Sequence, residues 1–170
     1  MIIWINGAFG SGKTTVATLL REKIDGSFLY DPENVGYFLW QNEPESIKCK
    51  DNFQHEYLWR YFNYRMLKNI AENYVGDIIV PMTLVDRAYY DEIIEKLRSD
   101  GIKVSHFVLY AKRETLLSRL CGRGDNANSW PAAQIDRCVK AYDSGLFEGI
   151  IETDNKTVEE ITEYILEVTK

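Results

Sequence analysis

Residues 7–15 read GAFGSGKTT, and they follow the strand-like run IIWIN at residues 2–6 with no intervening loop. From Thr14 the pattern turns helical, with Val16, Leu19, Leu20 and Ile24 recurring at helical intervals up to Gly26. Gly7-Ala8-Phe9-Gly10-Ser11-Gly12-Lys13-Thr14 satisfies G-x-x-x-x-G-K-[ST] in full, in the strand, loop and helix context that this motif requires. Glycines let the turn curl until successive backbone N–H groups point at phosphate oxygens, and the start of the next helix adds the positive end of its dipole. The stretch from Gly7 to Thr15 therefore predicts a nucleoside triphosphate site, with ATP and Mg²⁺ as cofactors. Lys13 reaches the β and γ phosphates, and the Thr14 hydroxyl ligates Mg²⁺.

Working outward, SFLYD (27–31) reads as a second strand, and Pro32 opens a short helix carrying Val35, Phe38 and Leu39. Residues 55–74 read as a long aromatic helix, 77–83 (DIIVPMT) as a buried strand, and 87–99 as a helix with Tyr90, Ile93, Ile94 and Leu97 inward. Residues 103–111 form a strand, 114–120 a helix, 121–130 an irregular loop, 131–142 a helix, 149–153 a strand and 157–168 a final helix. Strands alternating with helices give a three-layer α/β fold around a five-stranded parallel sheet. At 170 residues, with no linker-like segment and no repeat, the expectation is one domain over residues 1–170.

A net charge of -6 excludes general affinity for nucleic acid, so any anion site must be local. Cys49, Cys121 and Cys138 have no C-x-x-C spacing, and with only His55 and His106 they make a poor zinc set. No run reaches 18 apolar residues and the N-terminus does not read as a signal peptide, which predicts a cytoplasmic protein with no integral membrane segment.

A GTPase is set aside because TDNKTV (153–158) misses the last position of N-K-x-D and no D-x-x-G occurs. An AAA-type ATPase is set aside on size and for want of any sign of a ring. Residues 110–140 hold Lys112, Arg113, Arg119, Arg123, Arg137 and Lys140 against Glu114, Asp125 and Asp136, a positive stretch in an acidic chain. Arg119 and Arg123 lead into a Gly/Asn/Ser loop. This resembles the arginine-bearing lid of nucleoside-monophosphate-kinase-like enzymes, placed at about 121–131, which excludes water and stabilises charge on a transferring phosphoryl group. Asp31, at the carboxyl end of the second strand, is the candidate to orient or deprotonate an acceptor hydroxyl, and Glu33 is a weaker second. Where many P-loop enzymes end the third strand in a Mg²⁺-binding aspartate, this chain has Pro81, Met82 and Thr83, which leaves two alternatives: Asp31 or Asp86 takes over, or the metal rests on Thr14 and water. In DNFQHEYLWRYFNYRML (51–67), Leu58 and Phe62, with Tyr61 beside them, share one helix face and are assigned to the core. Gln54, Trp59 and Arg60 are read as a wall of the acceptor site.

With these pieces in place the chain resembles the tunicamycin-resistance ATP-binding proteins of bacteria. The likeness rests on MIIWINGAFGSGKT, YDPENVG, DNFQ, LWRYFNY, IIVPMT, KRETLLSRL, NSW, QIDRC and TDN, in order from residue 1 to about 160. It implies ATP binding through Gly7 to Thr14, a catalytic acid at Asp31, lid roles for Arg119 and Arg123, and protection against a nucleoside antibiotic. It also raises peripheral membrane association. The final helix does not favour this, since Glu159, Glu160, Glu163 and Glu167 surround its apolar stripe of Val158, Ile161, Ile165 and Val168. The leading expectation is an ATP- and Mg²⁺-dependent phosphotransferase acting on a small-molecule hydroxyl. The alternative is a nucleotide-gated protein that sequesters the drug without transfer. A homodimer is left open.

Overall fold

A computed structural model describes residues 1–170. Strands β1 (Ile2–Gly7), β2 (Phe28–Leu29), β3 (Ile78–Pro81), β4 (Val104–Tyr110) and β5 (Ile150–Glu152) form one all-parallel sheet in the order β2-β3-β1-β4-β5. The central strand sets Ile5 opposite both Pro81 and Phe107. Because both faces of β1 are covered, all of its residues are buried and its sequence is apolar from Ile2 to Ile5 instead of alternating, with the polar Asn6 buried behind them.

On one face, α1 (Lys13–Lys23) and α9 (Val158–Thr169) pack Val16, Leu20, Ile161 and Ile165 against Ile3, Ile5 and Phe107. Ile161 and Ile165 dock as ordinary core, while Val168 at the end of the stripe is exposed. The other face carries α2 (Glu33–Asn42), α3 (Tyr57–Asn73), a helical run over α4 (Arg87–Tyr90), a π-turn (Asp91–Glu95) and α5 (Lys96–Ser99), then α6 (Arg113–Gly122), α7 (Trp130–Ala133) and α8 (Ile135–Asp143). These close a core around Trp4, Trp59, Leu84, Tyr90 and Tyr142. The three-layer α/β fold with five parallel strands is the one expected.

Differences lie in detail. The second strand is only two residues long, because it is the sheet edge and pairs with β3 alone. Pro81 is tolerated in β3 for a geometric reason. The Met82 amide donates to Ile5 and Tyr30 donates to Ile79, so the odd-numbered amides of β3 face β2. The missing N–H of Pro81 falls where that strand has ended. In α2, Leu39 is buried but Phe38 is exposed. In α3 the inward residues are Trp59, Arg60, Asn63, Tyr64 and Leu67, so the expected core face of Leu58, Phe62 and Tyr61 is corrected. Leu58 and Tyr61 are exposed and Phe62 only partly buried. The helix is rotated by about one residue, or about 100°, from that reading.

Candidate active site

The loop Gly7–Thr15 is shaped by its glycines. Gly7 has φ +147°, and a Cβ there would stand 2.7 Å from the Leu109 carbonyl oxygen, so the loop can lie this close to β4 only without a side chain. Gly12 caps α1 in the left-handed region at φ +94°. The first α-helical bond runs from the Val16 amide to the Gly12 carbonyl, so the amides of Lys13, Thr14 and Thr15 precede the helical ladder and are free for an anion. Ser11 Oγ is buried and without a partner. Lys13 Nζ donates to the Gly7 and Ala8 carbonyls at 2.9 Å each. Burial lowers the Lys13 pKa to about 8, with the Glu33 carboxylate opposing and Arg123 adding to the shift.

Above this loop is a cavity of about 230 Å³. Phe9, Gly10, Gly12, Lys13, Thr14 and Thr15 form its floor, Asp31, Glu33 and Pro81 to Thr83 its far side, and Arg123 its rim. Asp31 is exposed to this space, and its carboxylate accepts the Glu33 amide at 2.9 Å, so it caps the turn into α2 while facing the cavity. Glu33 is half-buried and accepts from Tyr37 Oη at 3.3 Å. Burial, with Asp31 adding to it, raises its pKa. The donor set of a threonine hydroxyl and two carboxylates around a phosphate-sized cradle fits a hard cation such as Mg²⁺.

A second cavity, of about 400 Å³, adjoins the first and shares Phe9, Glu33, Met82 and Thr83 with it. Its walls are aromatic: Tyr37 and Trp40 from α2, Phe53 from a 3₁₀ turn (Phe53–His55) and Trp130 from α7. Trp40 and Phe53 meet edge to face with centroids 5.2 Å apart, as do Phe9 and Trp130. Lys50, Asn52, Gln54 and Arg137 supply polar groups, and Arg137 forms no ion pair. Gly36 is needed here, since a Cβ would lie 2.5 Å from the Phe53 ring.

The structure thus brings Gly10, Gly12, Lys13, Thr14, Thr15, Asp31, Glu33, Gln54 and Arg123 to the two cavities. Gln54 is held by donating Nε2 to the Thr83 carbonyl at 2.7 Å. Other expectations are corrected. Trp59 is fully buried and donates its indole N–H to the Pro32 carbonyl at 3.0 Å, so it is core, not wall. Arg60 is spent on Glu92 (2.7 Å), on the Gln54 carbonyl (2.6 Å) and on the face of Tyr89. Asp86 caps α4 through the Ala88 amide and lines neither cavity, so it offers no metal ligand there. Arg119 also stands outside both cavities and donates to the Thr153 hydroxyl and carbonyl after β5. Arg123 pairs with Asp125 at 2.7 Å. Sequence reading missed Tyr37, Trp40, Phe53, Trp130 and Arg137. Only the basic excess of 110–140 pointed to one of them.

A protein-family model described as an AAA domain matches residues 2–144. The chain belongs to this family. Setting AAA-type proteins aside is therefore corrected as to family: neither chain size nor ring formation bears on the P-loop core, which the matched segment contains. The chain is similar to a uridine kinase of Clostridium botulinum, 29% identical over 105 residues, which are 61% of this chain and 47% of that protein. It thus spans about half the length of the curated relative it matches. In structure it is similar to the tunicamycin resistance protein of Deinococcus radiodurans, with TM-score 0.83 and 29% identity over 99% of this chain and 94% of that one. This bears out the resemblance seen in the sequence motifs. A deoxyadenosine kinase from M. mycoides shares the fold, with TM-score 0.58 at 18% identity over 99% and 98% of the two chains. The fold is P-loop kinase-like, and no helix is long and apolar enough to cross a membrane.

Proposed function

We propose that this protein is an ATP- and Mg²⁺-dependent phosphotransferase that moves the γ-phosphoryl group to a hydroxyl of a small, nucleoside-containing acceptor. Tunicamycin is the first acceptor to try, because the similar protein of Deinococcus radiodurans is a tunicamycin resistance protein. The observation that carries this reading is the pair of adjoining cavities, one built for phosphate and one walled by aromatics, with Glu33 and Phe9 between them. An acceptor ring held in the larger cavity would present its hydroxyl to the smaller one.

In this reading the free amides of Lys13 to Thr15 and the Lys13 ammonium hold the triphosphate. Mg²⁺ would rest on the Thr14 hydroxyl and, through water, on Asp31, and neutralise charge on the phosphate oxygens. Asp31 accepts the acceptor's hydroxyl proton as the new O–P bond forms and the bond from the γ phosphorus to the bridging oxygen of ADP breaks. Arg123 enters from the segment 121–131, which serves as the lid of a single domain, while Arg119 holds α6 to Thr153 outside both cavities. The cytoplasm is the proposed location.

The experiment is mass spectrometry of tunicamycin incubated with protein, ATP and Mg²⁺, with Lys13→Ala as control. Gain of one phosphate that the control abolishes is the expected result. Unchanged drug favours either a different acceptor or a second reading, in which ATP closes the lid over a sequestered ligand. Support for that alternative comes from the engagement of Asp31 as a turn cap and the absence of an aspartate at the end of β3.

A further inference from the structure

Behind the phosphate loop lies a buried polar group that none of the roles above uses. Asn6, the residue before Gly7, is fully buried. Its Oδ1 accepts three hydrogen bonds, each 2.8 Å long, from the Gly7 amide, the Leu84 amide and the Tyr142 hydroxyl. Its Nδ2 donates to the Leu84 carbonyl at 2.7 Å and lies 3.2 Å from His106 Nε2. With Nε2 accepting from that amide, the ring proton of His106 sits on Nδ1 and donates to the Glu148 carbonyl at 3.3 Å. One side chain thereby ties together the end of β1, the segment after β3, strand β4 and helix α8.

Two details give the arrangement a direction. Gly7 is fixed on both sides of its backbone: its amide bonds Asn6, and its carbonyl accepts from Thr83 Oγ1 at 2.8 Å and from Lys13 Nζ. Helix α8 reaches this point through Tyr142, the inner end of a buried stripe with Ile135 and Cys138, and the same helix carries Arg137 to the aromatic cavity. At the outer end, α7 touches the loop again through Trp130 and Phe9. In this buried setting no water competes for the Tyr142 hydroxyl, so the hydrogen bond is directional and costly to lose.

We infer that Asn6 and Tyr142 are positioning residues: the chain of hydrogen bonds Tyr142–Asn6–Gly7 holds α8, and with it Arg137, in register with the phosphate loop, so that occupancy of the loop is felt in α8. This rests on reading Gly7–Thr15 as the nucleotide site.

Tyr142→Phe tests it, since the ring volume is kept and one hydroxyl is lost. Hydrogen exchange is followed with and without Mg²⁺ and ATP, alongside steady-state kinetics. In the wild type, ATP slows exchange in both 7–15 and 135–143. In Tyr142→Phe the effect on 7–15 persists and that on 135–143 is lost, whereas Asn6→Ser, which also releases the Gly7 and Leu84 amides, loses the effect on 135–143 and weakens that on 7–15. Loss of one such hydrogen bond lowers kcat about tenfold, with KM for ATP within about twofold of wild type. Wild-type protection of 135–143 with unchanged kcat in either folded variant overturns the inference. Absence of ATP protection at 7–15 in the wild type overturns the nucleotide reading instead.

Discussion

Glu33 borders both cavities, whereas Asp31, two residues earlier on the same turn, borders only the phosphate-side one of the two. This divides their labour. Asp31→Asn is expected to lower kcat by about 10²- to 10⁴-fold with little change in acceptor KM, as for removal of a general base. Glu33→Gln acts chiefly on acceptor KM. Steady-state kinetics on the phosphorylated acceptor separate the two, and the reverse pattern would move the base to Glu33.

Lys13 titrates within the range of ordinary assays, because burial brings its pKa to about 8. A triphosphate favours the protonated ammonium, so ATP binding takes up a proton above that pH. Affinity is constant well below pH 8 and falls by about tenfold per pH unit above it. Calorimetry in buffers of different ionisation enthalpy reads both quantities, and Lys13→Met removes the pH dependence. The unliganded fold shows the opposite sign: with the folded value below the unfolded one, this group adds stability as pH rises from about 8 toward 10.5.

His106 gives stability an acid limb. Burial lowers its pKa from 6.5 to about 4, so the unfolded chain binds the extra proton between those values. Its contribution is present in full above pH 6.5 and lost as pH falls toward 4, a change of about 3 kcal/mol by order of magnitude. Urea unfolding at pH 7 and pH 4 measures it, and the difference shrinks in His106→Gln.

Two tryptophans should respond in opposite ways. Trp59→Phe loses the bond to the Pro32 carbonyl inside the core and costs about 1–2 kcal/mol of stability, with acceptor KM unchanged. Trp130 is 52% exposed at the edge of the aromatic cavity, so Trp130→Ala leaves the melting temperature near wild type and raises acceptor KM about tenfold. Thermal melts and kinetics on both variants decide it.

Gly36→Ala probes the cavity from behind. The new methyl group collides with the Phe53 ring, whose far side faces the acceptor space, so acceptor affinity falls while ATP affinity holds. Titration of each ligand separately is the check.

The phosphate loop and the sheet were legible because their determinants are local. Eight consecutive residues, Gly7 to Thr14, contain the glycines, the lysine and the hydroxyl that their geometry requires, and β1 is apolar from Ile2 to Ile5. Asp31 could be placed at the cavity because it closely follows the carboxyl end of a strand whose direction the parallel sheet dictates. The larger cavity is different. Its walls come from α2, the turn at Phe53, the segment after β3, α7 and α8, and no spacing along the chain announces that these meet. Whether an aromatic side chain in residues 57–67 is core or wall depends on the rotation of α3, and a shift of one residue turns the helix by about 100°. Tertiary packing chose the rotation that buries Trp59 and Leu67, which made Trp59 core and Arg60 a partner of Glu92. The sequence by itself determined the phosphate cradle and the three-layer sheet, since both follow from contiguous residues. Only the tertiary structure decided which aromatics line a cavity, because that is settled by which surfaces the packed helices leave uncovered.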